Sequence, residues 1–286
     1  MATPLKIKSP AKINLALDIL GKSSKYHKIQ TIYQEISLHD TIAIREIAKN
    51  KIIIKSNDKT MPLTKQNLAY QAAEIMKKRT RKKIGLEIFI DKHIPVASGF
   101  AGGSSNAAAV LKGLNEMWKM RLSRGKLENL AANIGMDTPF FMTGGTAVGT
   151  HFGEKIRTTN PCPKLPLLLL IPTKKNPIIA KTKSVYKKIN LKFTGKNQKS
   201  TKLLCRAIKN KNRKELLANL HNDIETAVDI TATKAILKDF GASAVILAGS
   251  GPGIIAFLEN KLLRKKCVKS LDKKFKKQFK LILAST

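Results

Sequence analysis

The chain is organised around one stretch, Ile94-Pro95-Val96-Ala97-Ser98-Gly99-Phe100-Ala101-Gly102-Gly103-Ser104-Ser105-Asn106. A run of strand-forming residues, Gly85 to Ile90, precedes it, and a helical pattern with one apolar face, Ala107 to Trp118, follows it. The first N–H groups of a helix have no acceptor within the helix, and the helix dipole makes this end partly positive. Small residues let a bulky anion approach those groups closely, so the stretch predicts a phosphate-binding loop.

The length and composition are those of a globular protein with two domains. The chain has 286 residues, whereas one domain typically has ~100–200. The start lacks the apolar core of a signal peptide, and the longest apolar run, Leu167 to Ile171, is far shorter than the ~20 residues of a membrane helix. Three cysteines, Cys162, Cys205 and Cys267, lack metal-site spacing. These features predict a cytoplasmic protein with reduced, buried thiols and no membrane partner.

The chain is strongly basic, with 54 Lys and Arg against 19 Asp and Glu and a net charge of +35. Such an excess suits nucleic acid or an anionic membrane as a partner. Aromatic residues make up only 5%, and no basic stripe carries interleaved stacking residues. The favoured interpretation is therefore a lysine-rich surface over ordinary small-molecule chemistry, and the excess also suits a polyphosphate substrate.

Hydrophobic periodicity predicts mixed helices and strands. In the first half we expect strands over 13–20, 29–38, 40–47, 51–55 and 146–150, a turn over 21–27, and helices over 67–78 and 123–135. In the second half we expect strands over 165–171, 244–248, 254–258 and 281–283, and helices over 200–208, 213–220, 223–230, 231–240 and 263–275. The apolar face of the last helix is expected to pack on its own sheet rather than on a membrane. Three prolines between Asn160 and Pro166 predict a boundary, which gives domains 1–160 and 161–286.

The glycine-rich loop differs from two common nucleotide motifs. No lysine follows Gly103, as a Walker A loop requires, and G-x-G-x-x-G does not occur. A second glycine stretch, Gly249-Ser250-Gly251, lies between two predicted strands. It is either a plain hairpin turn or a second glycine loop packed against the first.

Asp137 and Lys12 are weak signals alone and a candidate catalytic pair together. Asp137 lies in Gly135-Met136-Asp137-Thr138-Pro139, which predicts a rigid turn. An aspartate in a turn most often bonds its own backbone. In the catalytic interpretation, the lysine keeps the aspartate ionised and the aspartate accepts a hydroxyl proton. Tyr26 and His27 are either ordinary turn residues or groups that suit a nucleobase.

Four motifs, in this order, resemble the galactokinase, homoserine kinase, mevalonate kinase and phosphomevalonate kinase (GHMP) superfamily. They are Pro-Ala-Lys-Ile-Asn-Leu (Pro10–Leu15), Pro-x-x-x-Gly-x-x-Gly-Gly-Ser-Ser-Asn-Ala-Ala (Pro95–Ala108), Gly-x-Asp-x-Pro-Phe (Gly135–Phe140) and Gly-Ser-Gly-Pro (Gly249–Pro252). Tyr26-His27 with Gln30-Thr31, and His221 to Glu225, are similar to the branch that acts on 4-diphosphocytidyl-2-C-methyl-D-erythritol. The match extends to about Phe257.

This resemblance implies an α+β protein with the two-domain GHMP kinase fold. The N-terminal half would be like domain 2 of ribosomal protein S5, with a left-handed βαβ crossover, and the C-terminal half ferredoxin-like. The resemblance also implies ATP-dependent phosphorylation of the 2-hydroxyl of a cytidine diphosphate-linked small molecule in the non-mevalonate isoprenoid route, with ATP and Mg²⁺ as cofactors. A monomer or a homodimer is expected.

The resemblance also assigns roles to individual residues. Lys12 and Asp137 are the catalytic pair. The stretch from Pro95 to Asn106 binds the ATP phosphates, and Ser105 is the side-chain candidate for contact with metal or phosphate. The substrate side holds Asn14, Tyr26, His27 and Tyr186, with His27 expected to read the cytosine edge.

Three residues depart from the family loop, which usually reads Gly-Leu-Gly-Gly-Gly-Ser-Ser. Phe100 and Ala101 stand in two of those places, and Ser98 lies where a glycine is common. Ala101 is tolerated if its φ is negative and shifts the backbone if its φ is positive.

Two other functions remain as alternatives. The nearest is another GHMP kinase, acting on homoserine or a mevalonate-like acid, which Tyr26-His27 disfavours because those substrates offer no base. The other is a basic RNA-binding protein with an S5-like domain, which a phosphate loop with an Asp/Lys pair disfavours.

Overall fold

The structure, a computed structural model, describes residues 3–23, 26–80, 83–173, 182–259, 271 and 278–286. Contacts between Cα atoms divide the chain into two compact units. Unit 1 comprises Met1–Ala11, Leu38–Val96 and Ala101–Gly144, and unit 2 comprises Lys12–Ser37, Ala97–Phe100 and Gly145–Thr286. The division into domains 1–160 and 161–286 stays a prediction.

Unit 1 packs helices on a sheet. Two long strands, β1 (Leu5–Ser23) and β2 (Tyr26–Ile47), contribute residues to both units. In unit 1, β3 (Ile52–Ser56) runs parallel to β4 (Gly85–Asp91), which is antiparallel to the Thr41–Ile47 part of β2. The helices are α1 (Leu68–Arg79), α2 (Gly102–Met117), α3 (Arg124–Ala132) and α4 (Phe140–Thr143). Their shared core includes the fully buried side chains of Ile44, Ile88, Ala72, Val110 and Leu114.

Unit 2 contains two sets of paired strands. In the first set, β5 (Thr146–Thr150) is antiparallel to the Thr31–Gln34 part of β2 and to β6 (Lys155–Thr158). Among the described residues, four antiparallel strands form the second sheet in the order β11-β7-β10-β9. These strands are β7 (Pro166–Pro172), β9 (Ala242–Leu247), β10 (Ile254–Leu258) and β11 (Phe279–Ser285). The short β8 (His221–Asn222) lies elsewhere and pairs in parallel with Ala16 and Leu17 of β1.

The helices of unit 2 are short. They are α5 (Thr182–Lys187), α6 (Gln198–Lys209), α7 (Arg213–Ala218) and α8 (Thr231–Asp239), with 3₁₀ turns at Leu191–Phe193 and Asp223–Thr226. The core of this unit includes the buried side chains of Leu168, Leu170, Ala256 and Leu237. No helix in the described ranges is both long enough and apolar enough to cross a membrane.

Most of the predicted strands and helices are confirmed, with several corrections. The predicted turn over 21–27 is wrong at both ends, because β1 continues to Ser23 and β2 begins at Tyr26. The strands predicted over 29–38 and 40–47 are one strand, β2. The helix predicted over 223–230 is wrong, because only the 3₁₀ turn Asp223–Thr226 forms there. β6, β8, α4 and α5 were not predicted, and the helix predicted over 263–275 lies, apart from Leu271, outside the described residues.

Candidate active site

The N-terminus of α2 is open to solvent in its first turn. Ala101 is the residue before the helix, with φ +55° and ψ +31°, and its side chain supplies no cap. Gly103 is exposed and Ser104 is half-buried. The N–H groups of a first helical turn have no acceptor within the helix, and this turn is exposed at Gly103, so this end of α2 suits an anion. This is the backbone arrangement that the phosphate-binding prediction requires.

Asp40, which sequence analysis missed, anchors this helix start. Its fully buried carboxylate accepts the N–H groups of His93 and Ile94 at 2.7 and 2.8 Å through Oδ1. Its Oδ2 accepts from Lys92 Nζ at 2.5 Å and from Asn106 Nδ2 at 2.8 Å. One carboxylate thus joins the segment after β4 to the first turns of α2. Removing one partner of such a buried ion pair is strongly destabilising.

The polar side chains that follow Ser104 face inward. Ser105 and Asn106 are each only 1% exposed. Ser9 Oγ donates to Ser105 Oγ at 2.8 Å, and Asn106 Nδ2 donates to Ser9 Oγ at 2.9 Å. These contacts hold the helix start, so Ser104 offers the more accessible hydroxyl. The binding roles of Ser105 and Asn106 stay predictions.

The turn that carries Asp137 lies beside the same helix start. The Thr138 N–H donates to the Gly135 carbonyl at 3.0 Å, which closes the predicted turn, and Asp137 is half-buried in it. A Cβ atom placed on Gly135 would lie 3.7 Å from Ser104 Oγ. Within unit 1, the end of the glycine-rich stretch and the Gly135–Phe140 motif are therefore neighbours.

Thr138 carries a buried hydroxyl that finds no hydrogen-bond partner in the described part of the chain. Its side chain is 0% exposed. We expect Thr138→Val, which has nearly the same shape, to raise the free energy of unfolding by about 1–3 kcal/mol, because an unpaired buried polar group is removed. Urea denaturation of the purified variant measures this.

Thr201→Val is the matched control for that prediction. Thr201 is equally buried, but its hydroxyl donates to Asp18 Oδ2 at 2.5 Å, so its loss should destabilise the protein. A Thr138→Val variant that is destabilised like the control would contradict the assignment of an unpaired hydroxyl.

In unit 2, loop residues 97–100 are held from two directions. The Lys12 N–H donates to the Phe100 carbonyl at 3.1 Å, and the Gly253 N–H donates to the Ser98 carbonyl at 3.1 Å. The Phe100 ring is fully buried, and a Cβ atom on Gly253 would lie 2.8 Å from Phe100 Cε2. Phe100 is therefore a packing residue whose bulk is matched by a glycine.

The Lys12 ammonium is fixed by a chain of hydrogen bonds. Lys12 is only 3% exposed. Its Nζ donates to Asn14 Oδ1 at 2.8 Å, Asn14 Nδ2 donates to Thr31 Oγ1 at 2.7 Å, and Thr31 Oγ1 donates to the Ala16 carbonyl at 2.6 Å. Lys12 Nζ also lies 5.2 Å from the centroid of the Tyr33 ring. A buried cation held this firmly suits a role in binding negative charge.

The second glycine stretch fits both interpretations given to it. It turns β9 into β10, with the Ala248 N–H donating to the Gly253 carbonyl at 2.8 Å. It also packs against the first loop: a Cβ atom on Gly99 would lie 1.9 Å from the Ala248 carbonyl oxygen, and one on Gly249 would lie 3.0 Å from the Gly99 carbonyl oxygen. The Cβ atom placed on Gly249 would also lie 3.6 Å from Lys12 Nζ.

The predicted base-binding residues form ring pairs in unit 2. The centroids of the His27 and Tyr186 rings lie 5.1 Å apart, and those of Tyr26 and Phe152 lie 5.4 Å apart. Burial, with the nearby positive charge of Lys22, lowers the pKa of His27, so its ring is neutral at pH 7. A neutral imidazole has one donor and one acceptor nitrogen, as reading a base edge requires. Phe152 was missed because nothing in the sequence near it marks a site.

Ala101 adopts the positive φ that sequence analysis marked as unfavourable. An alanine in the left-handed region is strained by about 1–2 kcal/mol. We expect Ala101→Gly to raise the free energy of unfolding by about 0.5–1 kcal/mol, because glycine adopts this conformation without that strain but loses more entropy on folding. Urea denaturation again provides the measurement.

Ala132→Gly is the control, because Ala132 lies in the right-handed helix α3. There glycine should cost about 0.5–1 kcal/mol. If Ala101→Gly and Ala132→Gly lowered the free energy of unfolding by similar amounts, the assignment of strain to Ala101 would be contradicted.

The two cysteines in the described ranges are not activated for chemistry. Cys162 and Cys205 are free thiols. Burial raises the pKa of Cys162 to about 12. Burial also raises the pKa of Cys205, against the opposing charge of Arg157. Both therefore stay protonated at neutral pH. The two residues are half-buried rather than buried as predicted, and Cys267 lies outside the described residues.

The described ranges contain no group of three or more His, Cys, Asp or Glu placed to hold a metal ion. A magnesium ion that arrives with a nucleotide needs few protein ligands, since Mg²⁺ commonly keeps several waters and binds substrate phosphates. Its preferred oxygen ligands are available at the open start of α2, where the Ser104 hydroxyl lies. The site therefore fits a nucleotide-bound magnesium ion.

Comparisons with known proteins agree on one family. Residues 67–145 match the model of the GHMP kinases N terminal domain. The 4-diphosphocytidyl-2-C-methyl-D-erythritol kinase of Clostridioides difficile (strain 630) is 36% identical over an alignment of 284 positions, which covers 96% of this chain and 94% of that protein.

Solved structures show the same fold. The crystal structure of a 4-(cytidine 5'-diphospho)-2C-methyl-D-erythritol kinase matches with a TM-score of 0.80 and 22% identity, over 98% of each chain. A homoserine kinase from Cytophaga hutchinsonii matches with a TM-score of 0.76 and 15% identity, over 100% of this chain and 95% of that one. The predicted α+β GHMP kinase fold is therefore confirmed, although the fold alone does not separate these two substrates.

Proposed function

Because the chain belongs to the 4-diphosphocytidyl-2-C-methyl-D-erythritol kinase family, we propose that it transfers the γ-phosphoryl group of ATP to the 2-hydroxyl of that substrate. The products are the 2-phosphate and ADP, in the non-mevalonate route to isoprenoid precursors. The observation that carries the proposal is the similarity to a kinase of this name over nearly the whole length of both chains. The Tyr26-His27 pair, which suits a cytosine, supports the same substrate.

The start of α2 would bind the phosphates. Its N–H groups and the positive end of its dipole favour polyanions, and its first turn is open. The Ser104 hydroxyl, with Ser105 as the alternative, would supply a protein oxygen to a bound magnesium ion. When bound, Mg²⁺ offsets the negative charge of the phosphate oxygens.

Asp137 would act as the general base. It would orient the tertiary 2-hydroxyl and accept its proton as the new oxygen–phosphorus bond forms. Lys12 would stabilise the ionised form of Asp137 and the negative charge on the transferred group. The bond from Lys12 Nζ to Asn14 Oδ1 fixes the ammonium before any substrate binds, so little reorganisation is needed.

The neutral His27 ring would read the hydrogen-bonding edge of cytosine, with Tyr26 and Tyr186 stacking on the base. Homoserine and mevalonate offer no base for these groups. A substrate panel therefore distinguishes the kinases that share this fold.

The test is a coupled ADP-release assay on the purified protein with each substrate in turn, with excess EDTA as the metal-free control. We expect turnover with the cytidyl substrate only, and its loss in EDTA. Turnover with homoserine or mevalonate instead would identify another GHMP kinase. RNA binding that persists at physiological salt, without ATP turnover, would support the RNA-binding alternative. The cytoplasmic location and the oligomeric state stay predictions.

A further inference from the structure

We propose that Asn222 is a positioning residue, which holds the Gly249 turn against Gly99 and the Lys12 ammonium. The proposal rests on the proposed function, because that function assigns Lys12 to phosphoryl transfer, and Gly99 lies in the stretch that the family resemblance assigns to the ATP phosphates. It gives a role to one residue of the His221–Glu225 segment, to which sequence analysis assigned none.

The amide of Asn222 is buried and fully hydrogen-bonded. The side chain is 5% exposed. Its Nδ2 donates to the carbonyls of Leu247 and Gly249 at 3.0 and 2.7 Å, and its Oδ1 accepts the Ile224 N–H at 3.0 Å. Only one orientation of the amide satisfies two acceptors and one donor, so the side chain is fixed.

Gly249, whose carbonyl Asn222 binds, lies next to the groups assigned to phosphoryl transfer. Gly249 has φ +51°, and its backbone lies beside the Gly99 carbonyl, Asn14 Oδ1 and Lys12 Nζ. A turn rich in glycine has many accessible conformations, so a side chain that fixes one of its carbonyls restricts it strongly. Displacing this turn would change the surroundings of the Lys12 ammonium directly.

Asn222 is itself held in register with Lys12 through β1. The β8 pairing sets Asn222 opposite Leu17 and His221 opposite Ala16. His221 Nε2 contacts Asp18 Oδ1 at 3.1 Å, and Nδ1 contacts the Asn219 carbonyl at 3.0 Å. Because both ring nitrogens face acceptors, the imidazolium form satisfies both contacts.

The pKa of His221 agrees with that assignment. Burial lowers it, but the hydrogen bonds to Asp18 and to the Asn219 carbonyl, with the charges of Asp18 and Asp223, outweigh burial and raise the pKa above its ordinary value. The ion pair between His221 and Asp18 therefore fixes β8 on β1, the strand that carries Lys12.

The two neighbouring acids fasten the same segment to other elements. Asp223 Oδ2 accepts the N–H groups of Ile19 and Gly195 at 2.8 and 2.7 Å. Glu225 Oε1 accepts the Leu247 N–H at 2.8 Å. Neither carboxylate contacts Gly249 in these bonds, so within this segment Asn222 links the buried scaffold to the turn.

The test compares Asn222→Ala with the wild-type protein by amide hydrogen exchange and by kinetics. Without substrates, exchange in residues 248–253 and 97–100 should rise at least about tenfold, because the carbonyls of Leu247 and Gly249 lose their bonds to Asn222. In the coupled assay kcat should fall at least about tenfold, while KM for the cytidyl substrate changes by less than about twofold. Asn222→Ser, a milder change that cannot reach the Gly249 carbonyl, should show the same pattern if the alanine variant does not fold.

Asn115→Ala is the matched control. The Asn115 side chain also bonds only to backbone, to the N–H and carbonyl of Leu122 at 2.9 and 3.3 Å, but it lies near the far end of α2. It should lower stability without changing kcat or exchange in the two loops.

Two results would overturn the proposal. One is unchanged exchange in residues 248–253 in the Asn222 variants. The other is raised exchange with wild-type kcat. If the wild-type protein itself releases no ADP with the cytidyl substrate, the proposed function fails, and exchange alone then decides whether Asn222 fixes the turn.

Discussion

Asp137→Asn is expected to lower kcat by at least ~10²-fold while the protein stays folded, since general-base assistance contributes roughly 10²–10⁴-fold. Asparagine has nearly the same shape but does not accept the hydroxyl proton. The turn around it is closed by the backbone bond from Thr138 to Gly135, which the substitution leaves in place. Circular dichroism and the ADP-release assay measure folding and turnover on the same sample.

Asp239→Asn is the control for this loss of charge. Asp239 is exposed at the end of α8, so its variant should keep wild-type turnover. Turnover near the wild-type rate in a folded Asp137→Asn protein would remove Asp137 from the mechanism.

Gly99→Ala is expected to reduce kcat/KM for ATP by at least ~10²-fold, because a displacement of about 1 Å in a positioned site has effects of this size. Gly99 has φ +89°, and a Cβ atom there would lie 1.9 Å from the Ala248 carbonyl oxygen. Because the obstacle is backbone, residues 97–100 or the Gly249 turn must move. Such overpacking should also lower the free energy of unfolding by about 1–3 kcal/mol.

Gly125→Ala provides the matched control. Gly125 lies in α3, and a Cβ atom placed on it meets nothing within 4 Å. This variant should keep its activity and gain up to about 1 kcal/mol from the better helix propensity of alanine. Wild-type kcat/KM in Gly99→Ala would show that the contact between the two glycine stretches has no part in ATP binding.

Local signals predicted the elements that surround the glycine-rich stretch. The run of strand-forming residues Gly85–Ile90 and the apolar face after Ala107 were sufficient for β4 and α2, and Asn67 and Ser123 are the N-caps of α1 and α3. These features depend on short-range hydrogen bonds and on one buried face, which a single sequence displays.

Residues with distant partners were not predictable in this way. The sequence pattern predicted two strands, 29–38 and 40–47, and Asp40 would begin the second of them. It lies instead within β2, because donors more than 50 positions away satisfy its buried charge. Similarly, the pattern after Asp223 predicted a helix, but Asn222 and Asp223 are used for bonds to remote backbone groups, which leaves only a 3₁₀ turn.

The site was predicted in parts. Sequence motifs selected Lys12 and the glycine stretches, and the structure adds what holds them: Asn14 and Thr31 for the ammonium, and Ala248 and Gly253 for the loop. The sign of φ at Ala101 could not be predicted, because an alanine in the sequence does not reveal its backbone conformation.

The most direct test of the proposed phosphoryl transfer is ³¹P NMR of the product formed from ATP and 4-diphosphocytidyl-2-C-methyl-D-erythritol. The 2-carbon carries no hydrogen, so a phosphate on its oxygen should give a new phosphomonoester singlet in the proton-coupled spectrum, together with ADP. A proton-coupled phosphomonoester signal would place the phosphate on a different hydroxyl. ADP formation without any new phosphomonoester, or no reaction at all with this substrate, would contradict the proposed function.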